Sequence, residues 1–466
     1  MKKLDLQPTP DNVKSTFIDD IIERNSDLLF LIKLIDSIED ECYSIALDSY
    51  WGSGKTFFVK QLKLVFDANN EFTYDSVDDK GIIQEHWKKI CTTHRERISA
   101  DNHIAIYYDA WENDNDNDPI LSIIYQIIKT TNATINLKNM RIKEKLPIIL
   151  DSIIKIITKA DLDIVNILSQ SIDPLDNIEQ SKSLQEKINS FIDDLIPEHG
   201  ERLLIIIDEL DRCNPVYAVK LLERIKHYFN NDRITFIFSV NLLELQHTIK
   251  QHYGMDFTAD RYLDRFFDIK IPLSKPNVNK YLEKRFAIND TTLYGITTSL
   301  IIRRYNLQLR EISRYIVLSK ALINCKIIVY ESNNPSRVVI NYVFLPVMIA
   351  LSLIDSKKYN NFISGKDVSP LTDSYNDEES MESLSYVLNL LLTKEELNGA
   401  SNKRIEKNDI PLIHERIKEF YEKLFPNMNS YDPIGTCYIH DYDKKFFEKA
   451  LSILSANAIN SMLDIE

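Results

Sequence analysis

Residues 49–56 read Ser49-Tyr50-Trp51-Gly52-Ser53-Gly54-Lys55-Thr56 and sit between two patterned stretches. The run at 43–47 (YSIAL) is short and apolar, as a buried strand is. Beyond the octet, apolar residues at 58, 59, 62, 65 and 66 keep helical spacing. The octet follows the phosphate-loop pattern G-x-x-x-x-G-K-[ST] except at its first position, which is Ser49. The residue types have a physical reason. Glycines let successive N–H groups turn inward around phosphate oxygens, and the helix N-terminus adds its positive end. Lys55 would reach the β- and γ-phosphates, and Thr56 would offer its hydroxyl to Mg²⁺. The nucleotide-contacting set is Trp51, Gly52, Ser53, Gly54, Lys55, Thr56 and Phe57. A serine in place of the first glycine costs something if its φ must be positive, so a slightly altered loop that still binds nucleotide is expected.

Working outward, 104–108 (IAIYY), 203–207 (LLIII), 234–240 (ITFIFSV) and 268–272 (DIKIP) are further short strand candidates. Asn214-Pro215 opens a helix whose apolar positions 218, 221, 222, 225 and 229 keep one face. Strands alternating with amphipathic helices predict an α/β fold with a parallel sheet covered on both sides. The run Leu203–Ile207 leads directly into Asp208-Glu209-Leu210-Asp211-Arg212. An acidic pair at the carboxyl end of a buried strand is where an open α/β sheet places ligand chemistry. Asp208 would join the Mg²⁺ shell and Glu209 would act as general base. Asn241, at the end of the next strand, would sense the γ-phosphate or cap the helix that starts at Leu242. Trp111, in Asp109-Ala110-Trp111, reads as a packing residue. Arg261, Arg265, Arg310 and Arg314 lie beyond the sheet, and Arg310 is taken as the candidate for transition-state charge.

The remainder divides by texture. Residues 1–118 and 201–275 form the two parts of the core. Residues 119–200, rich in isoleucine and lysine, read as a helical insertion, with 184, 188, 191, 192 and 195 on one helix face. Residues 276–330 read as a helical lid and 331–466 as an α-helical C-terminal domain. The uncharged segment 338–354 is at the short limit for a membrane span and contains Asn341, Tyr342, Pro346 and Ser352, so a buried core helix is expected. The acidic stretch 369–382 is the candidate mobile loop. The net charge of −14 disfavours general coating of nucleic acid. Five scattered cysteines with no CxxC suggest reduced thiols in a cytoplasmic chain, and Cys91 with His94 has no second half to make a metal site.

These residues resemble the KAP family of P-loop NTPases. The resemblance covers W-G-S-G-K-T at 51–56, Y-Y-D-A-W-E at 107–112, I-D-E-L-D-R-C at 207–213, V-K-L-L-E-R-I-K at 219–226 and Y-L-D-R-F-F at 262–267. It implies a P-loop NTPase sheet with an additional strand, with Glu209 as catalytic glutamate and ATP and Mg²⁺ as ligands. Many relatives insert transmembrane helices between the loop and the acidic strand. Here that stretch carries charges such as Lys155, Lys159 and Asp161, which implies a soluble member without a span. Bacterial members are associated with mobile-element exclusion and antiviral defence.

Together these features imply a Mg²⁺-dependent ATPase coupled to assembly or to a protein partner encoded nearby, itself a homo-oligomer. One alternative is a nucleotide-gated scaffold with little turnover. Another is a nucleic-acid-sensing ATPase, supported only by Lys88-Lys89 and Arg303-Arg304. Protease or nuclease chemistry is disfavoured, because none of the nine histidines falls in H-E-x-x-H.

Overall fold

The computed structural model describes residues 7–38, 41–70, 77–96, 100, 103–116, 118–134, 174–325, 334–397, 399–400, 403–424 and 433–454. The chain forms two compact units, Asp5–Lys275 and Pro276–Glu466.

The first unit is built on five parallel strands: β1 (Tyr43–Asp48), β2 (His103–Asp109), β3 (Arg202–Asp208), β4 (Ile234–Val240) and β5 (Ile269–Pro272). Their order in the sheet is β2-β3-β4-β1-β5. Every residue of β3 and β4 is buried, which is why both read as mainly apolar runs rather than alternating ones. Successive side chains still point to opposite faces. Ile205, Ile207, Phe236 and Phe238 join one core, while Leu204, Ile206 and Ile237 join the other. Helices Asn25–Asp36, Lys55–Asn69 and Val77–Thr93 cover the second of these faces.

The first face is covered by helix Pro215–Tyr228 and by both described ends of the stretch read as an insertion. Ile120, Ile123, Ile124 and Ile127 lie on it from helix Pro119–Thr134. Leu184, Ile188, Phe191, Ile192 and Leu195 do so from helix Pro174–His199. Residues 135–173, with Lys155, Lys159 and Asp161, lie outside the described residues. Asn214 caps its helix as its sequence predicts, its side chain accepting from the Val216 N–H at 3.0 Å.

Strand register aligns the carboxyl ends. Asp109 stands opposite Asp208, Asp208 opposite Ser239, and Asp48 opposite Val240. The carboxyl ends of the four neighbouring strands therefore form one row.

The second unit is helical. Its helix Pro335–Ile354 is, among the described residues, the one long and apolar enough to cross a membrane by length and composition. Residues 338–351 of it are all buried in the unit's own core, where Phe344 packs on Phe420 and the Tyr375 hydroxyl donates to the Val343 carbonyl at 2.9 Å. The expected loop at 369–382 is instead two short helices, Ser369–Ser374 and Glu378–Ser383. Buried Leu371, Tyr375 and Met381 anchor them, and Asp377 caps the second. Three apolar anchors and a cap outweigh an acidic composition.

Candidate nucleotide site

The loop after β1 closes through a Ser53 N–H donated to the Tyr50 carbonyl at 3.3 Å. Gly52 and Gly54 take φ of 79° and 92°, the left-handed region that suits glycine. Ser49 does not; its N–H donates to the Val240 carbonyl at 3.2 Å. The cost expected at Ser49 therefore does not arise, because the loop puts its positive φ on two residues that are glycine. Helix Lys55–Asn69 opens on Gly54 without a side-chain cap, which leaves its first-turn N–H groups for an outside acceptor.

Lys55 is only 9% exposed. Its ammonium donates to the carbonyls of Ser49 and Tyr50, the latter at 3.2 Å. Burial lowers its pKa, opposed by the charges of Asp211, Asp208, Glu209 and Asp48. One buried cation thus faces four carboxylates.

Asp208 ends β3 fully buried, and accepts from the Tyr107 hydroxyl at 3.0 Å and the Glu209 N–H at 3.1 Å. Burial raises its pKa, while the nearby Ser239 and Thr56 side chains and the Tyr107 hydroxyl lower it. Glu209 leaves the strand at φ 62°, a left-handed turn uncommon for a residue with a Cβ. Its Oε1 accepts from the Thr56 hydroxyl at 3.4 Å, and its Oε2 pairs with Arg212 Nε at 2.5 Å. Burial and the neighbouring Asp208 push its pKa to about 7, against the pull of Arg212. Thr56, Asp208 and Glu209 thus meet at one point, although Thr56 and Glu209 stand 153 positions apart in sequence.

Among the described residues, no group of three or more His, Cys, Asp or Glu is arranged to hold a metal. A hydroxyl and one buried carboxylate suit Mg²⁺ nonetheless, since that ion takes much of its shell from substrate phosphates and water. Thr56 and Asp208 fit the ion in that sense.

The other candidates distribute unevenly. Phe57 is half-buried on the first helical turn. Asn241 is buried, but its side chain does not cap helix Leu242–Tyr253; Asp48 does, accepting the Leu242 N–H at 2.9 Å. The cap reading of Asn241 is thereby corrected: a carboxylate from the neighbouring strand takes that place. Arg310 is exposed near the start of helix Leu309–Asn324 in the second unit. Trp111 is 53% exposed, so it is not a packing residue. It and Trp51, 43% exposed, flank the Arg212 guanidinium, 5.5 and 5.8 Å from their ring centres. Trp51 also donates its indole N–H to the buried Asp211 carboxylate. The Arg212 cage and the Tyr107 bond to Asp208 leave no trace in sequence, since only strand register brings those residues together. Of the basic pairs, Arg304 is engaged by Asp377 and the Ser374 carbonyl.

The model of the KAP family P-loop domain matches residues 27–317. A search of curated proteins gives no match. Among solved structures, the Aeropyrum pernix ORC2 protein in its ADP form is 12% identical with a TM-score of 0.31, over 86% of this chain and 94% of that one. The Aeropyrum pernix ORC1 protein in complex with DNA is also 12% identical, with a TM-score of 0.33, over 89% and 86%. At scores this low the likeness says nothing about ligand or partner. The family match spans more than half of the chain and contains both the loop and the acidic strand tip, and the chain belongs to the KAP family of P-loop NTPases.

Proposed function

We propose that the chain binds Mg²⁺-ATP at this site and hydrolyses it, with ATP turnover coupled to assembly or to a protein partner. One observation carries the reading: the phosphate-loop hydroxyl of Thr56 donates to Glu209 at 3.4 Å, and Asp208, the other acid of the strand tip, lies close enough for the same threonine to lower its pKa. The loop from Trp51 to Phe57 holds the phosphates through its N–H groups, and Lys55 turns from the loop carbonyls to the β- and γ-oxygens. Thr56 and Asp208 would hold Mg²⁺, which would supply charge stabilisation to the phosphates. Glu209 accepts a proton from the attacking water at a carboxylate oxygen, a contribution of about 10²–10⁴ in rate. Asn241 orients near the γ-phosphate, and Arg310 is the proposed source of positive charge, in cis or from a second copy. A cytoplasmic location rests on the five scattered cysteines, and a place in antiviral defence on family resemblance.

The test is multiple-turnover phosphate release by purified protein. Lys55→Ala is expected to abolish nucleotide binding. Glu209→Gln is expected to keep ATP bound and to lose turnover by about 10² or more. Glu209→Gln hydrolysing like wild type would remove the base assignment. A second reading, a nucleotide-gated scaffold with little turnover, draws on one feature: both Glu209 oxygens are engaged, by Thr56 and by Arg212. Sustained phosphate release by the wild type alone would remove it.

A further inference from the structure

Arg24 is 1% exposed, the most deeply buried arginine among the described residues. It stands in the turn between helices Pro10–Asp19 and Asn25–Asp36. Asp20 shapes that turn: it adopts φ 44°, and its carboxylate accepts the N–H groups of Arg24 and Asn25 at 3.1 and 3.2 Å. The guanidinium is thereby aimed inward. Among the described residues no carboxylate lies within ion-pair distance of it, and burial lowers its pKa to about 10, partly offset by Asp27. The side chain is still charged at neutral pH. Removing a charge from water without a counter-ion is costly unless strong hydrogen bonds replace the lost hydration.

The replacements are two backbone carbonyls. Nη1 donates to Ser53 O at 2.9 Å, inside the phosphate loop. Nε and Nη2 both donate to Ser274 O, at 3.2 and 2.7 Å. The first contact sets a peptide plane. In a planar trans peptide the C=O and the following N–H point in opposite directions. Fixing the Ser53 carbonyl on Arg24 therefore aims the Gly54 N–H to the other side of the loop, and Gly54 is the residue on which the helix opens. A cradle needs its N–H groups inward and its carbonyls outward, and Arg24 holds an outward carbonyl.

The second contact lies at the exit from the unit. Ser274 follows β5, one residue before Lys275, the last residue of the first unit. Its hydroxyl donates to Asp27. The preceding residue, Leu273, donates its N–H to the carbonyl of Asp48, the end of β1, at 2.9 Å. One rigid fork therefore grips the phosphate loop and the departing chain together.

We propose that Arg24 is a positioning residue that presets the phosphate loop for nucleotide and ties its conformation to the backbone at Ser274, where the chain leaves the first unit. The inference rests on the nucleotide reading of this site. Arginine suits the task because its planar fork reaches two acceptors at fixed geometry, which a lysine ammonium on a flexible stem does not.

The experiment uses the full chain as wild type, Arg24→Lys and Lys55→Ala, with Mg²⁺-ATP titration, thermal unfolding and amide hydrogen exchange. Arg24→Lys keeps the charge and loses the fork. It is expected to bind ATP at least about tenfold more weakly, the loss of one charged hydrogen bond's worth of preorganisation. In wild type, ATP is expected to slow exchange at the amides of Ser274 and Lys275, and in Arg24→Lys that response is expected to vanish. A lower melting point with unchanged ATP affinity would make Arg24 structural only and overturn the proposal. Should Arg24→Lys fail to fold, wild type alone still decides: exchange at Ser274 and Lys275 indifferent to ATP overturns the coupling. Wild type that binds no nucleotide removes the nucleotide reading itself, and the inference with it, whereas tight binding by both proteins removes the inference alone.

Discussion

Ser49→Gly would restore the glycine that the phosphate-loop pattern carries at this position, and a gain in nucleotide affinity is the naive expectation. The geometry points the other way. Ser49 does not occupy the left-handed region; Gly52 and Gly54 do, at 79° and 92°. What Ser49 contributes to the loop is backbone: an N–H to Val240 and a carbonyl to Lys55. Glycine would keep both and add only freedom to the unfolded chain, a loss of about 0.5–1 kcal/mol. For a unit of this size, roughly 1 kcal/mol corresponds to about 2–4 °C in Tm, so a fall of about 1–4 °C is expected. ATP affinity should stay within about twofold, or ~0.4 kcal/mol. The contrasting variant is Gly52→Ala, which forces a Cβ into a left-handed conformation at a cost of about 1–2 kcal/mol and should weaken binding as well. Calorimetric melting without nucleotide and titration with Mg²⁺-ATP read both quantities. A tenfold rise in affinity in Ser49→Gly would refute the argument, since it would mean the bound loop needs a positive φ at 49 after all.

Glu209, with its pKa pushed to about 7, must be deprotonated to accept a proton. The profile of kcat/KM reports the free enzyme, which has not yet received the Mg²⁺ that arrives with ATP, so this limb belongs to the metal-free site. The rate is therefore expected to fall about tenfold per unit as pH drops below about 7, and a flat profile down to about pH 5 would contradict the assignment. The indoles offer an optical test: Trp87 is buried, whereas Trp51 and Trp111 are exposed and flank Arg212. In Trp87→Phe, ATP is expected to change the emission, and adding Trp51→Phe should remove most of that change, because Trp51 adjoins Gly52 in the loop. An equal response with and without Trp51 would show that the loop does not move the cage.

The strands are legible in sequence for a physical reason. A parallel strand covered on both faces must be mainly apolar on both, so 203–207 and 234–240 stand out without any knowledge of their neighbours. The phosphate loop is legible because its chemistry is local: glycine torsions, a lysine and a hydroxyl within one turn. Two segments depart from their sequence reading for a shared cause, which is that composition does not name a partner. Apolarity assigns Trp111 to the core, yet its partner is a cation on another strand's exit. Acidity assigns 369–382 to a loop, yet Leu371, Tyr375 and Met381 are buried in the second unit.

What the amino-acid order settled alone was the sheet, the loop and the acidic tip, each encoded by residues that touch or follow one another. The three-dimensional arrangement alone decided that Ser49 is unstrained, that Asp48 rather than Asn241 caps the following helix, and that Arg24 grips Ser53 and Ser274. Those contacts join residues up to 250 positions apart. Neither periodicity nor motif spacing carries information about partners at that separation; the parallel crossovers that stack the strand ends bring them together.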